Sequence, residues 1–321
     1  MQQQSLVPSA QSSSLDELIR KARRLALASR AASSIRAYGS DIRDVKDWLR
    51  AHGFDSITPE VVALYLADHA DTLAPATLAR RLTSITIAGN HTSAGLSPAS
   101  MRQPLVAAVM QGIRRTRGIA PHPKDPLVLV DVQRLVAACG DDLRSIRDKA
   151  VLLFSFASAF RRSETVRIRV EDIEFCREGA IVHLDRSKTN QEGAREHVGL
   201  PLGKDPATCP VVALKRWLEA SALTSGPLFV SIDRFGRLAK RPMHPESVAM
   251  IVKARARLAG LNPDLLGAHS LRAGHVTEGH LRGMSDRALM RQTRHRSAKS
   301  LDRYTRPKGV FLENAAAGIG L

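Results

Sequence analysis

The sequence predicts a mainly α protein in two parts: a helical first domain, and a mostly helical second domain carrying one small antiparallel β-sheet. Three observations predict it. Through residues 15–117 apolar side chains recur at helical spacing between recognisable caps, and nothing alternates as a strand would. The segment Gly118–Pro126, GIAPHPKDP, holds three prolines and a glycine and has no periodicity, which is the composition of a linker. Between residues 170 and 200 three short strand-like segments follow one another, separated by turn residues.

In the first part, residues 1–14 (MQQQSLVPSAQSSS) lack the basic-then-apolar order of a signal peptide and read as a disordered polar arm. Residues 15–31 form a helix with Leu15, Leu18, Ile19, Ala22 and Leu25 on one face. Ser33–His52 is a second helix, striped by Ile35, Tyr38, Ile42, Val45, Trp48 and Leu49, with Gly53 as its stop. Thr58-Pro59-Glu60 is a helix start, with Thr as cap, Pro in first position and an acid in the first turn; that helix reaches about His69. Ala76–Ala88 is a fourth helix with Arg80 and Arg81 on its polar side. Met101–Arg117 is a fifth, ending in Arg114, Arg115 and Arg117. These arginines form either a solvated face or a phosphate-contacting surface, and their presence on two separate helices favours the second.

The second domain is expected over residues 127–309. Val130–Cys139 is a short helix, Leu143–Ala159 a strongly apolar buried one, and Ser163–Arg167 a helical turn for which Ser163 serves as cap. The strands are Val170–Phe175, Ala180–Leu184 and Glu196–Leu200, with turns at Gly179 and Arg186–Gly193. Cys209–Ala220 is a helix opening on Pro210, Phe229–Arg241 a polar loop and Pro245–Ala259 a helix; three more helices follow from Gly267. Trp48 and Trp217 lie on apolar stripes and belong to the core. Residues 310–321 form a tail whose Leu312, Ala315, Ala316, Ala317 and Ile319 give it an apolar face.

Forty-eight Lys/Arg against 31 Asp/Glu leave a net charge of +17. The excess is spread over both parts, +6 in residues 1–118 and +11 beyond, so the partner is expected to be a long polyanion, a nucleic acid rather than a small phosphorylated ligand. Cys139, Cys176 and Cys209 have no paired spacing, which excludes a disulfide framework or a zinc site and suggests a reducing compartment. No apolar run approaches the roughly 20 residues a membrane span requires. A cytoplasmic protein, nucleoid-associated if bacterial, is expected. The phosphate loop GxxxxGK[ST] is absent, so ATP use is not expected.

The residues that carry chemistry gather late in the chain. His269 and Arg272 are three apart and leave the same face of a helix. His295 precedes Tyr304 by nine residues. Upstream, Arg161 ends a buried helix, where a charge is costly unless paired or bound to an anion, and Glu164 is spaced to orient it. Lys188 falls in the hairpin turn Asp185–Thr189. Taken singly these are a surface ion pair and a solvated turn lysine. Together they supply what nucleophilic cleavage of a phosphodiester needs. Arg161 and Arg272 can grip non-bridging oxygens bidentately as negative charge grows on them. A tyrosine hydroxyl, with an ordinary pKa near about 10, benefits from such cations and from a proton acceptor, which His269 can supply. Lys188 is placed to give a proton to the leaving oxygen, and His295 to add a hydrogen bond to the phosphate. Nothing in the scheme requires a metal. The spacings of His269, His275 and His280 do not share a helix face, so no metal site is expected there.

In residue type, order and spacing, Arg161 in R-x-S-E, Lys188, His269 and Arg272 in H-x-L-R, His295 and Tyr304 resemble the tyrosine recombinases, also called phage-type integrases. The resemblance covers nearly the whole chain. It implies a core-binding domain over 15–117, a linker over 118–126, a catalytic domain of the DNA breaking-rejoining fold over 127–309, and a tail that docks on a neighbouring protomer, the alternative being that it packs back on its own domain. It implies that Tyr304 attacks a DNA phosphate to form a 3′-phosphotyrosyl bond, that Arg161, Arg272 and His295 hold the phosphate, that Lys188 protonates the leaving oxygen, that His269 assists proton transfer from Tyr304, and that Glu164 buttresses the site. The expected partners are double-stranded DNA with a short inverted-repeat core site and three further copies of the chain, exchanging strands through a Holliday junction without metal, ATP or other cofactor. Arg80, Arg81, Arg114, Arg115, Arg291 and Arg294 are candidate DNA contacts, as is Gln292. Two departures stand out: family members often carry Gly-Leu before the first arginine, here Ala159-Phe160, and glycine before the second histidine, here Arg294. The alternatives are a type IB topoisomerase-like enzyme that reseals the same strand, and a DNA-binding accessory protein without catalysis.

Overall fold

The computed structural model describes residues 17–22, 24–25, 32–89, 103–118, 124–184, 196–295, 297 and 301. The polar arm, residues 185–195 with Lys188, and residues 302–321 with Tyr304 and the tail lie outside them. The chain divides into two compact units, Met1–His122 and Pro123–Leu321. The break falls inside the proline-rich segment 118–126.

In the first unit, α1 (Ala32–Ala51), α2 (Pro59–Asp68), α3 (Pro75–Gly89) and α4 (Pro104–Arg117) close around one apolar core. Each boundary has a local cause. Gly53, at φ 73°, leaves the helical region just after α1. The Thr58 hydroxyl accepts from the amide of Val61, and Pro59 opens α2. Val45 and Leu49 from α1, Leu66 from α2, Leu78 from α3 and Met110 from α4 are buried in the core. Each such side chain contributes roughly 1.5–3 kcal/mol. Residues 17–22 and 24–25 are helical, as the spacing predicts, but Leu18, Ile19 and Leu25 are exposed. The expected apolar face is therefore not buried within this structure.

The second unit is built on α6 (Leu143–Ser158), whose Ala150, Val151, Leu152 and Phe154 are buried. Around it stand α5 (Leu129–Ala137), the short α7 (Arg162–Thr165), α8 (Pro210–Ser221), α9 (Pro245–Leu258), α10 (Ala268–Leu281) and α11 (Asp286–Thr293). Trp217 on α8 is buried and donates its indole N–H to the carbonyl of Leu228 at 2.7 Å. Arg255 on α9 ties α9 to α6 through Asp148, 2.7 Å away. Strands β1 (Ile173–Cys176), β2 (Gly179–Leu184) and β3 (Glu196–Pro201) form an antiparallel meander in the order β1-β2-β3. Val182 pairs with Val198 and Ala180 with Leu200, so these apolar side chains share the buried face. Val170–Asp172, read as the start of a strand, is a 3₁₀ turn, with the Asp172 carboxylate accepting from the Arg169 amide at 2.8 Å.

A second reading of this region is overturned. The segment Phe229–Arg241 is not a polar loop: Val230–Ile232 (β4) and Leu238–Pro242 (β5) pair as a second antiparallel hairpin. The strands are short, their register is interrupted by a bulge between Val230 and Ile232, and charged residues fill the turn and β5, so no clean alternation marks them. Two of the three helices expected after Gly267 are α10 and α11; a third would fall outside the described residues.

The position of α10 matters most for the site. Gly274 lies against the backbone of Leu127; a Cβ there would be 1.7 Å from the Leu127 carbonyl oxygen. Only glycine permits this approach. The Leu127 amide donates to the carbonyl of Ser270 at 2.9 Å and completes the seam.

Candidate active site

Arg272 leaves α10 toward the molecule's interior and is 1% exposed. Its guanidinium is held by uncharged acceptors: one nitrogen donates to the carbonyl of Ala159, and Nη2 donates to the carbonyl of Thr293 at 2.6 Å and lies 3.0 Å from His295 Nε2. These partners fix the orientation of the fork. Ala159, just past α6, is left-handed (φ 52°), and that turns the chain into Phe160 and Arg161.

The partners of His295 assign its tautomer. Arg272 can only donate, so Nε2 is an acceptor and the neutral ring carries its proton on Nδ1. Thr293 Oγ1, 2.7 Å away, receives that proton's hydrogen bond while its own hydroxyl donates to the Leu289 carbonyl at 2.7 Å. Burial, and then the positive charges of Arg272 and Arg161, push His295 down to about 4. In this arrangement its N–H serves Thr293; donation from Nε2 to a phosphate requires a second proton on the ring, or the other tautomer with the Arg272 fork turned away. His269, one turn before Arg272, has an exposed edge. Loss of hydration on its inner side, followed by Arg272 and Arg161, lowers it below its ordinary 6.5. It is therefore neutral near pH 7, as a proton acceptor must be.

Arg161 does not end the buried helix. It caps the short helix α7, and Ser163, read as a cap, lies inside that helix. Glu164, 3% exposed, accepts from the Arg161 amide (2.9 Å) and from Arg161 Nη1 (2.8 Å). The fields of Arg161 and Arg272 reach both histidines, so R-x-S-E, H-x-L-R and His295 meet in one place although Arg161 and His295 are 134 positions apart in the chain. Lys188 and Tyr304 lie outside the described residues. Leu301, three positions before Tyr304, is buried with Val276 of α10 and Leu289 of α11.

The candidate DNA contacts divide. Arg114, Arg115 and Arg291 are exposed. Arg80 is half-exposed and bound to Asp41 at 2.6 Å. Arg81, 13% exposed, is ion-paired with Asp44 and lies against the Tyr65 hydroxyl. Arg294 is not the open phosphate contact that the sequence suggests. Its side chain is 7% exposed, ion-paired to Glu164 at 2.6 Å and to Glu196 at 3.3 Å, with its guanidinium 4.4 Å from the Phe160 ring centroid. Gln292 is likewise turned inward, donating to the carbonyls of Ala157 (2.8 Å) and Gly199 (3.2 Å). Both point inward because α11 ends against α6 and β3. The two departures from the family pattern thus meet in space, Arg294 stacking on Phe160. Sequence reasoning missed Thr293, Glu196 and this stack; only the spacing of Thr293, two before His295, offered a signal.

Comparison with known proteins bears on the family and the fold. Residues 127–309 match the Phage integrase family, and residues 23–86 match the Phage integrase, N-terminal SAM-like domain. The chain is 36% identical over 318 residues to the integrase/recombinase xerD homolog of Selenomonas ruminantium, covering 97% of this chain and 92% of the relative. In fold it is similar to the XerH site-specific recombinase bound to palindromic difH substrate in a post-cleavage complex, with TM-score 0.65, 15% identity, and coverage of 95% of this chain and 84% of that one. It is also similar to a lambda integrase dimer bound to a COC′ core site, with TM-score 0.58, 16% identity, and coverage of 91% and 95%. The family match takes in more than half of the chain, and the Selenomonas relative nearly all of it. The chain belongs to the phage integrase family, the tyrosine site-specific recombinases.

Proposed function

We propose that the protein cleaves and rejoins double-stranded DNA at a short inverted-repeat core site, with Tyr304 as nucleophile and without metal or ATP. The Tyr304 oxygen attacks a phosphorus atom, its proton passing to His269. The bond from phosphorus to the 5′ oxygen breaks as a 3′-phosphotyrosyl bond forms, and Lys188 gives the leaving oxygen its proton. A 5′-hydroxyl from the partner duplex then attacks the phosphotyrosyl bond and releases Tyr304. One phosphoester replaces another at each step, so no external energy source is needed. Arg161 and Arg272 hold the non-bridging oxygens, where fixed donors act most strongly.

The observation that carries this reading is the buried, pre-oriented Arg272 beside His295, within the field of Arg161 and His269. Leu301 supports the role of Tyr304: it precedes the tyrosine by three positions in the sequence and is buried on the α10–α11 pair. Exposed Arg114, Arg115 and Arg291 are the side chains we assign to the DNA backbone, with a smaller share for Arg80. Four copies on two duplexes exchange strands in pairs through a Holliday junction.

The test is incubation with a nicked suicide duplex carrying the cognate site, followed by detergent gel electrophoresis. The expected result is a detergent-resistant protein–DNA complex that Tyr304→Phe abolishes, together with joint molecules when two duplexes are supplied. A complex that persists in Tyr304→Phe contradicts the reading. Plasmid relaxation without any joint between duplexes would indicate resealing of the same strand instead.

A further inference from the structure

Arg294 stands where backbone sterics favour glycine. Its φ of 57° and ψ of 39° are left-handed, and it directly precedes His295. The side chain is also almost fully buried, and its Nε and Nη1 have no hydrogen-bond partner among the described residues. Burying such a donor-rich cation is unfavourable. Phe160 and Glu164, which receive it, flank Arg161 in sequence on either side.

Its effect is on the charge around Arg161. Glu164 Oε1 accepts from Arg161 Nη1, while Oε2 accepts from the Arg161 amide and from Arg294 Nη2. Glu196 brings a second carboxylate to the same guanidinium. Without Arg294, the cluster of Arg161, Glu164 and Glu196 would be net negative beside a phosphate-binding group; with it, the cluster is neutral. One carboxylate shared between two arginines also grips each less tightly than a closed pair would.

We propose that Arg294 is a positioning residue that acts through Glu164: it takes up the carboxylate's charge and leaves the Arg161 guanidinium available to a DNA phosphate. The inference rests on Tyr304 being the nucleophile and Arg161 a phosphate clamp.

The test compares wild type, Arg294→Gly and Arg294→Lys on a suicide duplex. The scissile phosphate is either a normal phosphodiester or a methylphosphonate, which lacks one non-bridging oxygen and its charge. On the phosphodiester at saturating DNA, Arg294→Gly is expected to form covalent complex roughly tenfold or more slowly, with DNA affinity within about threefold. On the methylphosphonate, where less phosphate charge needs neutralising, the deficit shrinks to less than about threefold, and Arg294→Lys recovers most of the phosphodiester rate. A misfolded variant would lose both substrates alike. Equal deficits on the two substrates, a loss under about twofold on the phosphodiester, or no recovery in Arg294→Lys overturns the inference. If the wild type itself forms no complex, the reading of Tyr304 falls and this inference with it; a wild-type complex undiminished in Arg294→Gly overturns this inference alone.

Discussion

Replacing Glu164 by glutamine tests how the site is held together. The carboxylate is 3% exposed and lies 2.8 Å from Arg161 Nη1 and 2.6 Å from Arg294 Nη2. Glutamine keeps the shape and one acceptor oxygen, but removes the negative charge that the buried Arg294 and the half-buried Arg161 share. Breaking a buried ion pair from one side costs about 3–5 kcal/mol; with the retained acceptor the expected loss is about 2–4 kcal/mol. For a unit of this size that lowers the Tm by roughly 5–15 °C. The pH dependence sharpens the test. Burial alone would raise the Glu164 carboxyl, but Arg294, the Arg161 amide and the Arg161 guanidinium outweigh it and hold the group below 4.5. A carboxyl depressed in the folded state contributes its stability fully above its unfolded value and loses it as pH falls through the folded value. The gap in Tm between wild type and Glu164→Gln should therefore be full at pH 7, begin to narrow only below 4.5, and close in stronger acid. Thermal unfolding followed by circular dichroism over this range measures it. A difference under about 2 °C at pH 7, or a gap that stays constant into strong acid, would refute the reasoning.

Arg161→Ala and Arg272→Ala should both reduce covalent-complex formation by at least about 10²-fold with DNA affinity within about threefold. Only Arg272→Ala should also lower the Tm substantially, because that side chain bonds to Ala159 and Thr293, whereas Arg161 is more exposed; equal Tm losses would count against the division. His275, pushed down to about 4 chiefly by burial, contributes stability that is full above 6.5 and lost as pH falls toward 4, so His275→Gln should flatten the acid decline of Tm between those values; an unchanged slope refutes it. Gly274→Ala places a methyl carbon 1.7 Å from the Leu127 carbonyl oxygen and should leave too little folded protein to purify, or lower the Tm by at least about 6 °C.

Much of this was legible in the sequence, for identifiable reasons. The start of α2 was readable because Thr58, Pro59 and Glu60 act through local bonds, and the strands β2 and β3 because Ala180, Val182, Val198 and Leu200 alternate. The β4–β5 hairpin was not, since Asp233, Arg234 and Arg237 mask two very short strands and the pairing is irregular. In the site, Arg272 and Glu164 were legible because buried charges are rare and their spacing is fixed by helical geometry. Arg294 was misread because a lone arginine in a basic chain is usually solvated. Its fate is decided by Phe160 and Glu164, 134 and 130 positions away, and by Glu196, and no local pattern encodes those contacts. Arg81 was misread for the same reason, its partner Asp44 lying on another helix.

In the proposed reaction Tyr304 becomes the covalent link to DNA. The most direct measurement is mass spectrometry of the trapped complex after digestion of both DNA and protein. One nucleotide adduct is expected, on the peptide containing Tyr304, with the phosphate joined to the 3′ side of the DNA and a free 5′-hydroxyl on the released strand. An adduct on any other residue, or a 5′-phosphotyrosyl linkage, would contradict it.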